Sequence, residues 1–159
     1  MKNVTILRGP SGCGKSSHIK GVLKNQSYSK IDASYKIVSA DNFFMDTDDE
    51  GEMFYNFNPA LLSVAHNQCL SDYIDAIDDG VNFIFVDNTN IHQWEYANYI
   101  KIAEMKDYVV NIIEIVPKTI ADLKVCIERN QHKVPQEVVA RMCLGFEHDN
   151  RAGIVEFTV

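Results

Sequence analysis

Residues Gly9-Pro10-Ser11-Gly12-Cys13-Gly14-Lys15-Ser16 read G-x-x-x-x-G-K-S, and no other stretch constrains the chain as strongly. The apolar run Val4-Thr5-Ile6-Leu7 comes just before it, as a buried strand would. Ile19, Val22 and Leu23 follow at i, i+3 and i+4, the spacing of one helix face. Strand, glycine-rich turn and helix in that order make a phosphate-binding loop, the P-loop. Its backbone N–H groups point inward around a phosphate chain, and the helix N-terminus adds a favourable partial charge. Glycine stands where a side chain would block the approach. The loop Gly9–Ser16, with Ser17 beside it, is therefore expected to bind a nucleoside triphosphate. Lys15 is expected to reach the β- and γ-phosphates, and the Ser16 hydroxyl to ligate Mg²⁺.

A length of 159 residues with 46% hydrophobic residues favours one domain around one core, with no need for covalent staples. No apolar run approaches the length needed to cross a membrane. The N-terminus enters the first predicted strand directly, so no signal peptide is expected. Cys13, Cys69, Cys126 and Cys143 are scattered without a C-x-x-C pair. That arrangement fits neither a zinc ribbon nor a disulfide framework, and reduced thiols in a cytoplasmic compartment are the expectation. The net charge of −7 weighs against a protein whose main task is gripping long duplex nucleic acid, while leaving room for a short contact with a strand end.

Taken in order, the pattern predicts strand 1 at Asn3–Arg8 and helix 1 to about Lys24. A polar connection over Asn25–Ser34 follows, then a short strand at Tyr35–Ser39 ending in Ala40-Asp41-Asn42. Ligands of a parallel α/β sheet sit beyond the carboxyl ends of its strands, which puts Asp41 on the same edge as the P-loop. Asp46 to Glu52 carries five carboxylates in seven residues and reads as a solvated loop, or as the rim of an acceptor pocket. Met53–Phe57 is aromatic and reads first as core or helix-flanking packing, with the lining of a pocket as the alternative. Asn58-Pro59 has the chemistry to start a long helix with the stripe Leu62, Ala65, Cys69, Tyr73 and Ile77, closed by Gly80. His66 beside that stripe is expected to be a buried or hydrogen-bonded structural histidine. The continuous apolar run ending at Asp87 has the layout of a doubly buried strand followed by a metal-side carboxylate, so Asp87 is a candidate Mg²⁺ ligand. Asn88-Thr89-Asn90 adds polar groups at the same edge.

A helix from about His92 to Met105 is expected to turn Tyr96, Ala97, Ile100 and Ala103 inward and to use Trp94 for packing. A β-branched strand follows at Tyr108–Val116, then a helix opened by the capping box Thr119–Asp122. Arg129-Asn130-Gln131-His132-Lys133, before Val134-Pro135, is the best candidate for a lid over about 129–135. Arg129 or Lys133 there could neutralise charge on a triphosphate. A last helix over Gln136–Phe146 and an edge strand within Ile154–Val159 complete the pattern. Strands alternating with helices predict a three-layer α/β fold with a mostly parallel central sheet, a P-loop NTPase of the nucleotide-kinase kind.

The order and spacing of Gly9–Ser16, Ser39-Ala40-Asp41-Asn42-Phe43-Phe44, Tyr55-Asn56-Phe57, Ala65–Cys69, Val86–Asn90, Trp94-Glu95 and Arg129–Pro135 resemble the P-loop kinases of the polynucleotide 5′-hydroxyl kinase type, including the kinase-like domain of NEDD4-binding protein 2. The resemblance runs from about residue 3 to Glu147. It implies transfer of the γ-phosphate of ATP, with Mg²⁺, to a hydroxyl, typically the 5′-hydroxyl of DNA or RNA. It also implies Asp41 as general base, Arg129 as a contact to the ATP phosphates, and strand 3 beside strand 1. Two positions depart from the pattern. Phe44 stands where an acceptor-binding arginine is found, and Lys133 stands where glycine is frequent. Three readings follow: a polynucleotide 5′ end as acceptor, a small-molecule acceptor or a hydroxylated base in nucleic acid, and a nucleotide-dependent binding module without transfer.

Overall fold

The computed structural model describes residues 2–25 and 34–157. Its elements run β1 (Asn3–Arg8), α1 (Lys15–Asn25), β2 (Tyr35–Val38), a 3-10 turn (Ala40–Phe44), a hairpin of β3 (Met45–Thr47) and β4 (Met53–Tyr55), and a second 3-10 turn (Pro59–Leu61). They continue with α2 (Leu62–Asp78), β5 (Phe83–Asp87), α3 (Gln93–Met105), β6 (Val109–Glu114), α4 (Ile120–Arg129), α5 (Gln136–Leu144) and β7 (Gly153–Ile154). The five-stranded sheet has the order β2-β5-β1-β6-β7, with each neighbouring pair parallel. The strand Phe83–Asp87 lies beside the P-loop strand, as expected.

Alternation along the strands sorts the core into layers. Val4 and Ile6 of β1, Ile84 and Val86 of β5 and Ile112 of β6 pack with Ala65, Cys69 and Tyr73 of α2 and Tyr96, Ile100 and Ala103 of α3. Leu7 and Phe85 point the other way, onto Ile19, Val22 and Leu23 of α1. A third cluster joins Cys13 of the P-loop to Ile115, Cys126 of α4 and Val139 of α5. These layers are the three-layer α/β arrangement that the sequence predicts.

Several expectations need correction. The long helix opens as a 3-10 turn capped by Asn58, and the α-helical run begins at Leu62, which is exposed. The acidic stretch is solvent-exposed, as its reading as a solvated segment expects, but it belongs to the β3–β4 hairpin. There the Asp48 carboxylate accepts from the N–H groups of Glu50 (3.0 Å) and Glu52 (2.8 Å), and the rest of the tip is exposed to solvent. His66 is exposed on α2 and takes no part in the core. Trp94 is 74% exposed, its ring stacked on His92 with centroids 6.5 Å apart. On α3, Tyr96, Ile100 and Ala103 are buried as expected, while Ala97 is half-buried and Tyr99 joins the buried face. The connection expected over Asn25–Ser34 falls outside the described residues except at its ends. The terminal edge strand is two residues long and pairs with β6.

Candidate active site

The P-loop is moulded to the elements behind it. Gly12 has φ of 78°, and a Cβ there would lie 1.9 Å from the Cys126 carbonyl oxygen of α4. Gly14 is also left-handed at φ 101°, but the space a Cβ would enter is open. One glycine is thus required by packing and the other by conformation alone. Lys15 is 9% exposed, and its ammonium donates to the carbonyls of Gly9 (2.8 Å) and Pro10 (3.1 Å), which places the charge over the loop. Pro10 is buried, Ser11 lies near Met142 of α5, and Ser17 is exposed on the first turn of α1. Burial raises the Cys13 thiol, with Lys15 acting against it, so Cys13 is a neutral packing group.

Next to the loop, the Ser16 hydroxyl donates to Asp87 Oδ2 at 2.6 Å. The two predicted metal-side residues are therefore adjacent, at the ends of β5 and the P-loop. A hydroxyl and a carboxylate are hard oxygen donors. No cluster of three or more His, Cys, Asp or Glu suited to a metal occurs among the described residues. That donor set fits a cation which keeps most of its shell as water and phosphate oxygen, the habit of Mg²⁺.

The polar turn after β5 serves as scaffold. The Asn88 side chain accepts from the Ala40 N–H (2.9 Å) and so ties the end of β2 to the end of β5. Asn90, at φ 46°, donates from its amide to the Leu7 carbonyl (2.8 Å), and the Thr89 carbonyl accepts from the Gly9 N–H (2.8 Å). Behind the loop, Arg8 is fully buried. Its guanidinium pairs with Glu114, donates to the carbonyls of Asn90, Ile91 and Glu147, and lies over the rings of Tyr96 and Phe146. Sequence reasoning missed this hub, because a lone arginine closing a strand reads as a surface residue.

Asp41 opens the 3-10 turn after β2, where the Ser39 side chain caps its N–H. Its carboxylate is half exposed. Oδ1 accepts from the Tyr55 hydroxyl at 2.7 Å, and Oδ2 lies 3.5 Å from His132 Nε2. Tyr55 and His132 also touch each other, with centroids 4.2 Å apart. Burial, then the hydrogen bond to Asp41, raise the Tyr55 phenol well above its ordinary range, so it remains a donor. Neither partner was singled out from the sequence. The clue for His132 was its place in the lid segment, where attention went to the permanent cations. Phe44 is 3% exposed and is a core residue, contacted edge-on by Phe43, Tyr55 and Phe57.

The two predicted lid cations bracket a turn. Arg129 ends α4 and is exposed. Lys133 is exposed at φ 53°, the left-handed region that glycine enters without cost. The Asn130 side chain fixes the turn by donating to the Val134 carbonyl at 2.7 Å. Of this segment it is His132 that reaches Asp41.

Comparisons with known proteins agree with this geometry. Residues 4–147 match the model of a family described as an AAA domain. Human NEDD4-binding protein 2 is 29% identical over 154 residues, a match that covers 93% of this chain; the chain spans 8% of that protein's length. Among solved structures, Chaetomium thermophilum Kti12 in complex with ADP-AlF3 superposes with a TM-score of 0.65 at 8% identity, over 97% of this chain and 89% of that one. A chain of the Pnkp1/Rnl/Hen1 RNA repair complex superposes with a TM-score of 0.63 at 14% identity, over 91% of this chain and 43% of that one. The chain belongs to the AAA domain family and has the nucleotide-binding P-loop kinase fold.

Proposed function

We propose that the chain is an ATP-dependent phosphotransferase that moves the γ-phosphate onto a hydroxyl held by Asp41, and that the hydroxyl is the 5′-OH of an RNA or DNA strand. The observation that carries this reading is the placement of Asp41. It stands at the carboxyl end of β2, two strands from β1, on the edge that carries Lys15, Ser16 and Asp87. Neighbouring strands are about 4.8 Å apart, so roughly 10 Å separates the two strand ends. That gap suits a terminal phosphate with an acceptor hydroxyl in line behind it.

The roles follow from charge. Phosphoryl transfer passes through a loose transition state, so catalysis is mostly positioning and neutralisation. The P-loop amides and Lys15 hold the donor phosphates, and Arg129, with Lys133 beyond it, covers them from the lid over about 129–135. Ser16 and Asp87 would hold Mg²⁺, which would supply further neutralisation of the phosphate oxygens. Asp41 accepts a hydrogen bond from the acceptor hydroxyl, aims the oxygen and takes its proton. The likeness to a chain of an RNA repair complex supports a polynucleotide acceptor. A small acceptor is the second reading, favoured by the run from Ile37 to Ile100, which contains no lysine or arginine.

The test is label transfer from γ-labelled ATP with Mg²⁺ to 5′-hydroxyl RNA and DNA oligonucleotides, beside a panel of nucleosides and nucleotides. Label on oligonucleotide 5′ ends, lost in Asp41→Asn while ATP still binds, is the expected result. Label confined to small molecules selects the second reading. ATP binding with no label on any acceptor refutes phosphotransfer to hydroxyls of this class.

A further inference from the structure

The acceptor side of the site combines two features that the transfer mechanism does not use. One is electrostatic. From Ile37 to Ile100 the sequence holds twelve Asp and Glu and no Lys or Arg. That span supplies the end of the β2 edge, the Asp41 turn, the β3–β4 hairpin, α2, β5 and the first half of α3. The span itself offers a passing strand no lysine or arginine to neutralise its phosphates, and its hairpin carries five carboxylates, Asp46, Asp48, Asp49, Glu50 and Glu52.

The other feature is aromatic. Around the buried ring of Phe44, Phe43 and Phe57 remain 38% and 49% exposed. Tyr55 and Phe57 lie nearly parallel, 7° apart with centroids separated by 6.1 Å, and Tyr55 is the residue bonded to Asp41. The part-exposed rings of Phe43 and Phe57, fixed by the core residue Phe44 and joined to Asp41 through the half-buried Tyr55, which also contacts His132, make a stacking surface beside Asp41. Stacking on such rings accepts any base, because every base has a π-face.

We propose that Phe43, Tyr55 and Phe57 form an acceptor subsite for a single nucleoside unit, which is held by stacking of its base while its primary hydroxyl faces Asp41, with no contact to phosphates further along a strand. The inference rests on the phosphotransfer reading for the role of Asp41, but the binding it describes is independent of turnover. Two sources present such a nucleoside unit, a free nucleoside or the first residue of a strand, and the proposed subsite recognises what they share.

The experiment is a fluorescence titration of the full chain with 2-aminopurine riboside, and with a dinucleotide and a 12-mer carrying 2-aminopurine at a 5′-hydroxyl end, each from 50 to 300 mM salt. Stacking quenches the probe. The expected result is quenching by the wild-type chain, dissociation constants for dinucleotide and 12-mer within about fivefold, and a log–log salt slope shallower than about −0.7, the contribution of one phosphate on a single strand. Phe57→Ala weakens binding by about tenfold, and Phe57→Trp restores it. An equal affinity for the riboside identifies a free nucleoside as sufficient, and a weaker one assigns the site to strand ends; both support the subsite. Absence of quenching, a slope steeper than about −2, or unchanged binding by Phe57→Ala overturns it. Label transfer in parallel separates the two ideas, because loss of transfer with stacking intact refutes the kinase reading and leaves the subsite standing.

Discussion

The Tyr55 hydroxyl donates to Asp41 Oδ1 at 2.7 Å, which leaves Oδ2 as the oxygen that faces His132 Nε2 at 3.5 Å. The phenol stays protonated because burial and the neighbouring carboxylate raise its pKa. It therefore fixes the carboxylate's rotation at working pH. Tyr55→Phe removes the bond while keeping the ring, so kcat is expected to fall by about 10- to 150-fold, the scale of one hydrogen bond to a charged group, with KM for ATP unchanged. Steady-state kinetics with ATP varied at fixed acceptor checks this, and an altered KM for ATP would assign Tyr55 to the donor side.

The Ser16–Asp87 contact at 2.6 Å leads to a different expectation. If these oxygens orient the cation that accompanies ATP, Asp87→Asn raises the Mg²⁺ concentration for half-maximal activity by at least about tenfold, since an outer-shell or ligand change in a metal site typically costs that much. Nucleotide binding measured in EDTA remains near wild type. A Mg²⁺ midpoint that does not move would leave Asp87 as a partner of Ser16 only.

The parts of this site readable from sequence are those written in local pattern. Val4–Leu7 and Phe83–Val86 are apolar runs that end in chemistry, so the P-loop, Asp41 and Asp87 could be placed on one sheet edge. The partners of Asp41 are long-range. Tyr55 follows it by 14 residues across a hairpin whose alternation is masked by the carboxylates of its tip, and His132 arrives from the far end of the domain. Phe44 was read as a missing ligand, but the 3-10 turn sends its ring inward. Trp94 precedes Tyr96 by two residues, about 200° around a helix, so when Tyr96 faces the core Trp94 faces solvent. Aromatic character alone had suggested packing.

Two glycines of the P-loop separate folding from binding. Gly12→Ala puts a methyl group into the Cys126 carbonyl of α4, a backbone atom that cannot step aside. This variant is expected to lose several degrees in Tm or to be insoluble. Gly14→Ala has room for the methyl but keeps an unfavourable φ, at a cost of about 1–2 kcal/mol, and it places the methyl where phosphate must approach. It should fold with a modestly lowered Tm and lose nucleotide binding. Thermal melts with and without ATP distinguish them, since ATP raises the Tm of the wild type but not that of Gly14→Ala.

Arg8 and Glu114 form a buried pair with three carbonyls and two rings around the guanidinium. Removing one partner leaves the other charge buried, so Arg8→Ala is expected to lose about 3–5 kcal/mol in urea unfolding. Arg8→Lys keeps the charge but not the planar fork that reaches the Asn90, Ile91 and Glu147 carbonyls together, and should recover less than half of the loss. Full recovery by lysine would show that charge alone matters here.

Asp149 connects this hub to pH. Its carboxylate is buried, bonded to the Arg151 guanidinium at 2.6 and 2.9 Å and to the Tyr96 hydroxyl at 2.7 Å. The Arg151 hydrogen bonds, with the Tyr96 hydroxyl, hold it well below the usual carboxylate range against the opposing effect of burial. A pKa lowered on folding means that the unfolded chain binds the proton more tightly. The stability from Asp149 is therefore fully present above about pH 4, the unfolded value, and is lost as pH falls towards the folded one. Asp149→Asn should cost about 1.5–3 kcal/mol at pH 7, the scale of hydrogen bonds to a charged group, and less as the solution is acidified. Urea midpoints of both proteins between pH 7 and pH 2 test this. Curves that converge at low pH support the assignment, and curves that stay parallel would mean that the carboxylate's charge is not what the Arg151 and Tyr96 contacts stabilise.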